Sequence, residues 1–353
     1  MKTYTMTLHC TDNAGSTLQA YALQQVLIRN NIENEIIDYR PQYMFKYGNP
    51  LKRILKEILY AQEMKSKDKK NRRFENRYLK KTQMVYGEYR DLLKCPFKCD
   101  ALIVGSDQVW NMEFKCGQDD AFYLKFAPNN VKKIAYAASI GKADVPTEEL
   151  DFIAERIFDF NAISVRENSS KVALEKRGVK NVAYVCDPTL LLNKEEYLKI
   201  ETIRIAGEYI LVYLVQPSKL LDSLIEKIKN LYNCKVVLIY GIRDNCKCDI
   251  HLRDVSPDEF VGLIHNAKFV IASSFHAVMF SHIFEKNFAI VLPKRNQARI
   301  EQFLLVSHLQ SRIVYTVEDV NNLEPEIDYS EVRCYLDRFR TYSQRYLLHA
   351  LTE

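Results

Sequence analysis

The sequence predicts an α/β fold in two halves, each a parallel sheet flanked by helices, with the two sheets facing a shared cleft. Three observations carry this expectation. Residues 269–294, FVIASSFHAVMFSHIFEKNFAIVLPK, hold an apolar run, a break at Ser273-Ser274, a periodic segment over 276–285 and a second apolar run that stops at Pro293. That strand–turn–helix–strand order is the unit of a parallel sheet. Earlier apolar runs end one after another in polar or charged clusters, as strand ends do when they line a binding rim. Finally, 353 residues make about two domains at roughly 150 residues each.

Taken in order, residues 3–8 read as a strand, Thr11 to Ser16 as a polar turn, 17–29 as a helix and 32–38 as a second strand. Asn13 and Gly15 thus stand at a helix N-terminus, where free N–H groups suit an anion or a sugar hydroxyl. The turn is not G-x-G-x-x-G, so a dinucleotide site is not supported. Leu51, Ile54, Leu55, Ile58 and Leu59 form the apolar stripe of an amphipathic helix. They open a basic stretch in which residues 52–81 hold 12 Lys/Arg against 4 Asp/Glu. This local +8 in a chain of net +5 leaves −3 for the rest. A basic helical insertion is therefore expected over about 51–81. It is either a solvated hairpin or a surface resting on anionic lipid or meeting a pyrophosphate-linked substrate. One basic patch without a recognition motif argues against nucleic acid.

Ala101–Val104 reads as a strand ending in Gly105-Ser106-Asp107-Gln108-Val109-Trp110-Asn111, which holds the chain's one tryptophan. Lys132–Ala138 ends in Ser139-Ile140-Gly141. A helix over 148–158 leads to Ala162–Val165 and then Arg166-Glu167. A helix over 169–177 leads to a strand over 182–185 and then Cys186-Asp187-Pro188-Thr189. A linker is expected over 193–208. A second βα series comes next, with strands at 209–215, Lys235–Ile239, Phe269–Ala272 and 288–292, and a last helix over 330–350 has the option of crossing back. The expected domains are 1–195, on the acceptor side and carrying the basic insertion, and 196–353, on the donor side. Both are Rossmann-like.

Composition is that of a globular chain, 47% hydrophobic and 27% charged, with 22 Tyr and 17 Phe. No apolar run approaches the roughly 18 residues of a membrane span. The N-terminus lacks the apolar core and cleavage site of a signal peptide. A cytoplasmic protein is expected, peripheral at the inner face of the cytoplasmic membrane if 51–81 meets lipid. Nine scattered cysteines read as buried reduced thiols. Cys95/Cys99 and Cys246/Cys248 lack the Cys-x2-Cys spacing and histidine pair of a zinc site, so no metal is assigned. His9, His251, His265, His282, His308 and His349 show no partner pattern and receive no role.

The strand-end clusters around Asp107, Ser164-Val165-Arg166-Glu167, Asp187-Pro188-Thr189-Leu190-Leu191 and Ser273-Ser274-Phe275-His276-Ala277 occur in that order. With the loop and helix near 13–27, they resemble the polysaccharide pyruvyl transferase family over about residues 8–315. The resemblance implies a GT-B-like fold. It also implies transfer of the enolpyruvyl part of phosphoenolpyruvate onto a sugar, closing a 4,6-linked ketal and releasing phosphate. Its donor-binding roles fall on Arg166, His276 and Lys294. Many members carry Arg before the Leu-His of the last motif, where this chain has Ser274-Phe275-His276. One cation is therefore either missing from the donor pocket or supplied by Arg295 or Arg299.

Phosphoenolpyruvate carries close to three negative charges, so fixed cations and helix N–H groups near Ser273 and Ser274 suit it. The reaction needs a proton on the methylene carbon and a base for the attacking hydroxyl. His276 suits one proton transfer; Asp107, Glu167 or Asp187 suits the other. Asn13, Gly15, Ser106, Trp110 and Asn111 are expected on the acceptor side, with Trp110 either stacked on a sugar or in the core. No cofactor is required, and phosphoenolpyruvate is a substrate. The partner is a saccharide acceptor, free or lipid-linked. The competing readings are a GT-B glycosyltransferase with a nucleotide-sugar donor and a non-catalytic carbohydrate-binding protein.

Overall fold

The computed structural model describes residues 1–44, 60–213, 220–239, 248–293 and 297–353. The chain divides into two compact units: Met1–Gly48 with Glu75–Leu192 and Asp337–Glu353, and Asn49–Phe74 with Asn193–Leu336.

In the first unit, β1 (Lys2–Met6), β2 (Glu33–Tyr39), β3 (Lys81–Tyr86), β4 (Ala101–Val104), β5 (Lys132–Ala138), β6 (Ala162–Val165) and β7 (Val182–Tyr184) form one sheet. Its order is β3-β2-β1-β4-β5-β6-β7 and every pairing is parallel. All four residues of β4, Ala-Leu-Ile-Val, are buried, the pattern of a strand covered on both faces. Connection direction reverses between β1 and β4. At such a point the flanking loops part and leave a crevice at the strand ends. Helix α1 (Ala14–Arg29) starts three residues before the expected 17, because the Asn13 carboxamide oxygen accepts from Gly15 N at 3.0 Å and caps it.

In the second unit, β8 (Tyr209–Tyr213), β9 (Lys235–Ile239), β10 (Ile250–Leu252), β11 (Phe269–Ala272) and β12 (Asn287–Ile290) pair in parallel in the order β10-β9-β8-β11-β12. Direction reverses between β8 and β11. Strands β3 and β10 were not expected: β3 exposes three of its six residues, and all of β10 is half-buried, so neither has an apolar run to read.

The basic insertion, expected to belong wholly to the N-terminal half, is divided. Its described part is helix α2 (Ala61–Tyr78), and the division falls between Phe74 and Glu75. Lys70 pairs with Asp254 at 3.0 Å and Glu259 at 3.1 Å, within the second unit. Glu75 pairs with Lys81 at 2.7 Å and with Arg40, within the first. The apolar stripe from Leu51 to Leu59 lies outside the described residues. The last helix, Ser330–Thr352, is likewise divided, and Asp337 onward belongs to the first unit. There Ser343 Oγ accepts from Cys186 N at 2.9 Å, Arg340 Nε donates to Leu190 O at 2.6 Å, and Phe339 meets Tyr184 with ring centroids 5.0 Å apart.

Candidate functional site

In the first unit, the loops after β1, β4, β5, β6 and β7 bring one buried polar cluster together. Arg166, directly after β6, lies at its centre with a wholly buried side chain. Its Nη1 donates to Asp187 at 2.8 Å and Ser106 Oγ at 3.4 Å, its Nε to Glu167 at 3.2 Å and its Nη2 to Asp107 at 3.4 Å. Burial works against the guanidinium charge, but Glu167, Asp187 and Asp107 outweigh it and push its pKa up. Arg166 therefore stays ionised and is committed to its own carboxylates. The Arg166 side chain, expected to meet an anionic donor, has no exposed face.

Each carboxylate has further support. Asp187 accepts from Ser106 Oγ at 2.9 Å and from Thr189 Oγ1 at 2.8 Å, and caps the turn at Pro188–Leu191. Glu167 accepts from Ser139 Oγ at 2.6 Å and Ser170 Oγ at 3.3 Å. Asp107 accepts from Gln108 N at 2.8 Å and from the Ser16 hydroxyl. Ser16 lies in the first turn of α1, so its bond to Asp107 ties the loop after β1 to the loop after β4 at the reversal point. Asp107 holds φ +79°, a conformation a non-glycine residue adopts at a cost. Strain at a strand-end carboxylate marks it as the most distinctive acid of the cluster.

Asn13 is exposed as the cap of α1, and Gly15 is buried in its first turn. Trp110, expected on the acceptor side, is a core residue. It is fully buried, its Nε1 donates to Phe122 O at 3.1 Å, and its ring stacks on Tyr123 with centroids 6.1 Å apart and planes 4° apart. No face is left for a sugar. Asn111 is also wholly buried: it donates to Gln108 Oε1 at 2.7 Å and accepts from Glu113 N at 3.0 Å, which orders the loop.

In the second unit, Ser273 and Ser274 follow β11 at its reversal point, and helix α7 (Phe275–Ile283) starts after Ser274; α3 to α6 are Thr147–Ile157, Asn168–Lys176, Leu220–Tyr232 and Pro257–Asn266. Ser273 N donates to Tyr213 O at 3.1 Å, extending the β11–β8 pairing by one residue. His276 is buried in the first turn of α7, edge-on to Phe275 with centroids 5.6 Å apart. Over Phe275 lies the guanidinium of Arg299, 5.4 Å from the ring centroid. This puts one of the two substitute cations beside the Ser274-Phe275-His276 turn. Lys294 and Arg295 lie outside the described residues.

Two histidines without an assigned role, His9 and His282, are buried and well anchored. His9 Nε2 lies 3.0 Å from Asp38 Oδ1, in a network that continues through Arg40, Lys81 and Glu75. His282 Nδ1 lies 2.8 Å from Val278 O, an acceptor, so Nδ1 carries the proton and Nε2 accepts from Ser307 Oγ at 3.1 Å. Nothing in the sequence spacing marks either set, since 29 residues separate His9 from Asp38. The described cysteines are free thiols, and burial pushes Cys10, Cys116 and Cys186 up to about 12. Among the described residues, no three His, Cys, Asp or Glu side chains are grouped to hold a metal, and no helix is long and apolar enough to cross a membrane.

A family model described as polysaccharide pyruvyl transferase matches residues 13–295, well over half of the chain. None of the curated proteins matches by sequence. Among solved structures, the chain is similar to a UDP-GlcNAc 2-epimerase from Methanocaldococcus jannaschii at 13% identity and TM-score 0.57, covering 97% of this chain and 100% of that one. A UDP-GlcNAc 2-epimerase from Neisseria meningitidis, bound to UDP-GlcNAc, has 11% identity and TM-score 0.56 over 99% of each chain. An alpha-glucosyltransferase in complex with UDP and DNA has 10% identity and TM-score 0.51 over 100% of each. At such identities the likeness is one of fold, and that fold is GT-B.

Proposed function

The chain belongs to the polysaccharide pyruvyl transferase family, and on that premise we propose that it moves the enolpyruvyl group of phosphoenolpyruvate onto a hexose. The acceptor is a cell-surface polysaccharide or its lipid-linked precursor. Two hydroxyls of the hexose add to C2, the methylene carbon gains one proton, and phosphate leaves with the other, giving a 4,6-ketal. The observation that carries the reading is that the matched region includes the polar turns beside both reversal points, with Asp107 at one and Ser273-Ser274-Phe275-His276 at the other.

In this reading the N-terminal N–H groups of α7, Ser273 and Ser274 hold donor oxygens, with Arg299, Lys294 and Arg295 as the cations. His276 delivers or removes one proton. Asp107 accepts the proton of the attacking hydroxyl, since Ser16 and Arg166 hold its carboxylate ready to act as an acceptor. Arg166 is a positioning residue that fixes Asp107, Glu167 and Asp187. Asn13, exposed at the cap of α1, takes the acceptor side, and Ser106 acts with Arg166 in holding Asp187.

Phosphate release from phosphoenolpyruvate, measured across lipid-linked and simple glycosides with mass spectrometry of products, tests this. Release without added nucleotide supports it. A requirement for a nucleotide-sugar transfers the fold to the glycosyltransferase reading. His276→Ala and Asp107→Asn should each lower turnover by about 10²–10⁴-fold while phosphoenolpyruvate affinity by titration calorimetry changes far less. Unaltered turnover in both favours a non-catalytic carbohydrate-binding protein.

A further inference from the structure

Helix α2 has two unlike faces. One is anchored: Lys70 reaches Asp254 and Glu259, Ser66 bonds to Asp254, and Phe74 and Glu75 are buried. The exposed positions of α2, which are 61, 62, 65, 68, 69, 72, 73, 76 and 77, recur with the spacing of a single helical face. Five of these nine, all from position 65 onward, are cations: Lys65, Lys69, Arg72, Arg73 and Arg77. The one acid, Asp68, pairs with Arg72 at 2.9 Å. Among the described residues, no ion pair holds Lys65, Lys69, Arg73 or Arg77. The stripe runs about 18 Å, at roughly 1.5 Å of rise per residue.

This face has no aromatic and no large aliphatic side chain. It lacks the apolar centre of a protein interface and the rings on which single-stranded bases stack. What it offers is a row of long, exposed cations on a helix whose other side is fastened. That geometry matches a plane of phosphate groups, where each Lys or Arg adds separately to the attraction. We propose that the exposed face of α2 is an electrostatic docking surface for an anionic phospholipid bilayer. Binding is interfacial and salt-sensitive, with no insertion of side chains into the acyl region. The proposal names where the enzyme rests, and it stands whether or not the donor is phosphoenolpyruvate, because its test reads binding alone.

The test is co-sedimentation of the full-length protein with phosphatidylcholine vesicles containing about 30 mol % phosphatidylglycerol, a membrane of strong negative surface potential. Binding should occur, be absent with pure phosphatidylcholine, and disappear at about 0.5 M salt, where screening is nearly complete. Combined Lys65→Gln, Lys69→Gln, Arg72→Gln and Arg73→Gln should weaken it on the order of 100-fold. Circular dichroism should show the fold retained. The exposed pair Lys176→Gln and Lys180→Gln, elsewhere on the surface, should change binding by no more than about twofold. The proposal is overturned by equal binding to neutral vesicles, by a quadruple variant that binds like the parent, or by the Lys176/Lys180 pair losing as much. Tighter retention on duplex DNA than on anionic vesicles at equal salt also overturns it.

Discussion

Arg166 and Asp187 form a buried ion pair whose charges hold each other in place, so removing one partner exposes the others to an uncompensated environment. Arg166→Ala leaves Asp107, Glu167 and Asp187 together without a cation, and should cost about 3–5 kcal/mol of stability in urea titration. A change in donor affinity without that loss of stability would contradict the positioning role. His282 gives a second residue-level prediction, in pH. Burial lowers its pKa to about 4 from 6.5, because desolvation penalises the charged ring more than the bond to Val278 O supports it. The unfolded chain therefore binds the proton first. The His282 contribution is complete above about pH 6.5 and is lost as pH falls toward 4, by up to about 3 kcal/mol. Thermal melts of the parent and of His282→Gln should diverge in slope across that window. Parallel pH profiles would refute the assignment.

At the scale of elements, the loops after β4 and β5 are fixed by close approach rather than by chain length. Gly141 holds φ +78°, and a Cβ there would stand 2.5 Å from Gln108 Oε1 and 2.6 Å from Asn111 Nδ2. Gly141→Ala should destabilise the protein by about 1–3 kcal/mol, through backbone strain and displacement of the Gln108–Asn111 pair. Urea titration reads that cost, and a change within about 0.5 kcal/mol would show that the loop adapts. β4 and β11 were legible because strands buried on both faces are unbroken apolar runs, and β5 and β6 because only Lys132-Lys133 and Ser164 interrupt theirs. β3 and β10 were not, since partly exposed strands need neither an apolar run nor a clean alternation. Helix α1 was legible in its body but not in its start, which Asn13 decides by accepting from Gly15 N.

For the whole molecule, the division of the chain has a direct consequence. Asp337–Glu353 belongs to the first unit, where Leu347 and Leu351 are buried and Ser343 meets the backbone after β7. Deleting residues 337–353 should therefore lower the stability of the unit that contains Met1–Gly48, not of the unit that precedes it in sequence. Hydrogen exchange should show faster exchange in β6 and β7, while β8 to β12 keep their protection; uniform loss would refute this. By itself the sequence determined the α/β class, the strand-end positions of Asp107, Arg166, Asp187 and His276, and the family resemblance. These are local matters of apolar runs and the polar residues that end them. Only the tertiary structure decided that Arg166 faces three carboxylates, that Trp110 is core and that Ser16 reaches Asp107 across 91 residues. Side-chain partnership between distant segments is fixed by sheet order and burial, and neither is written in the spacing of residues along a chain.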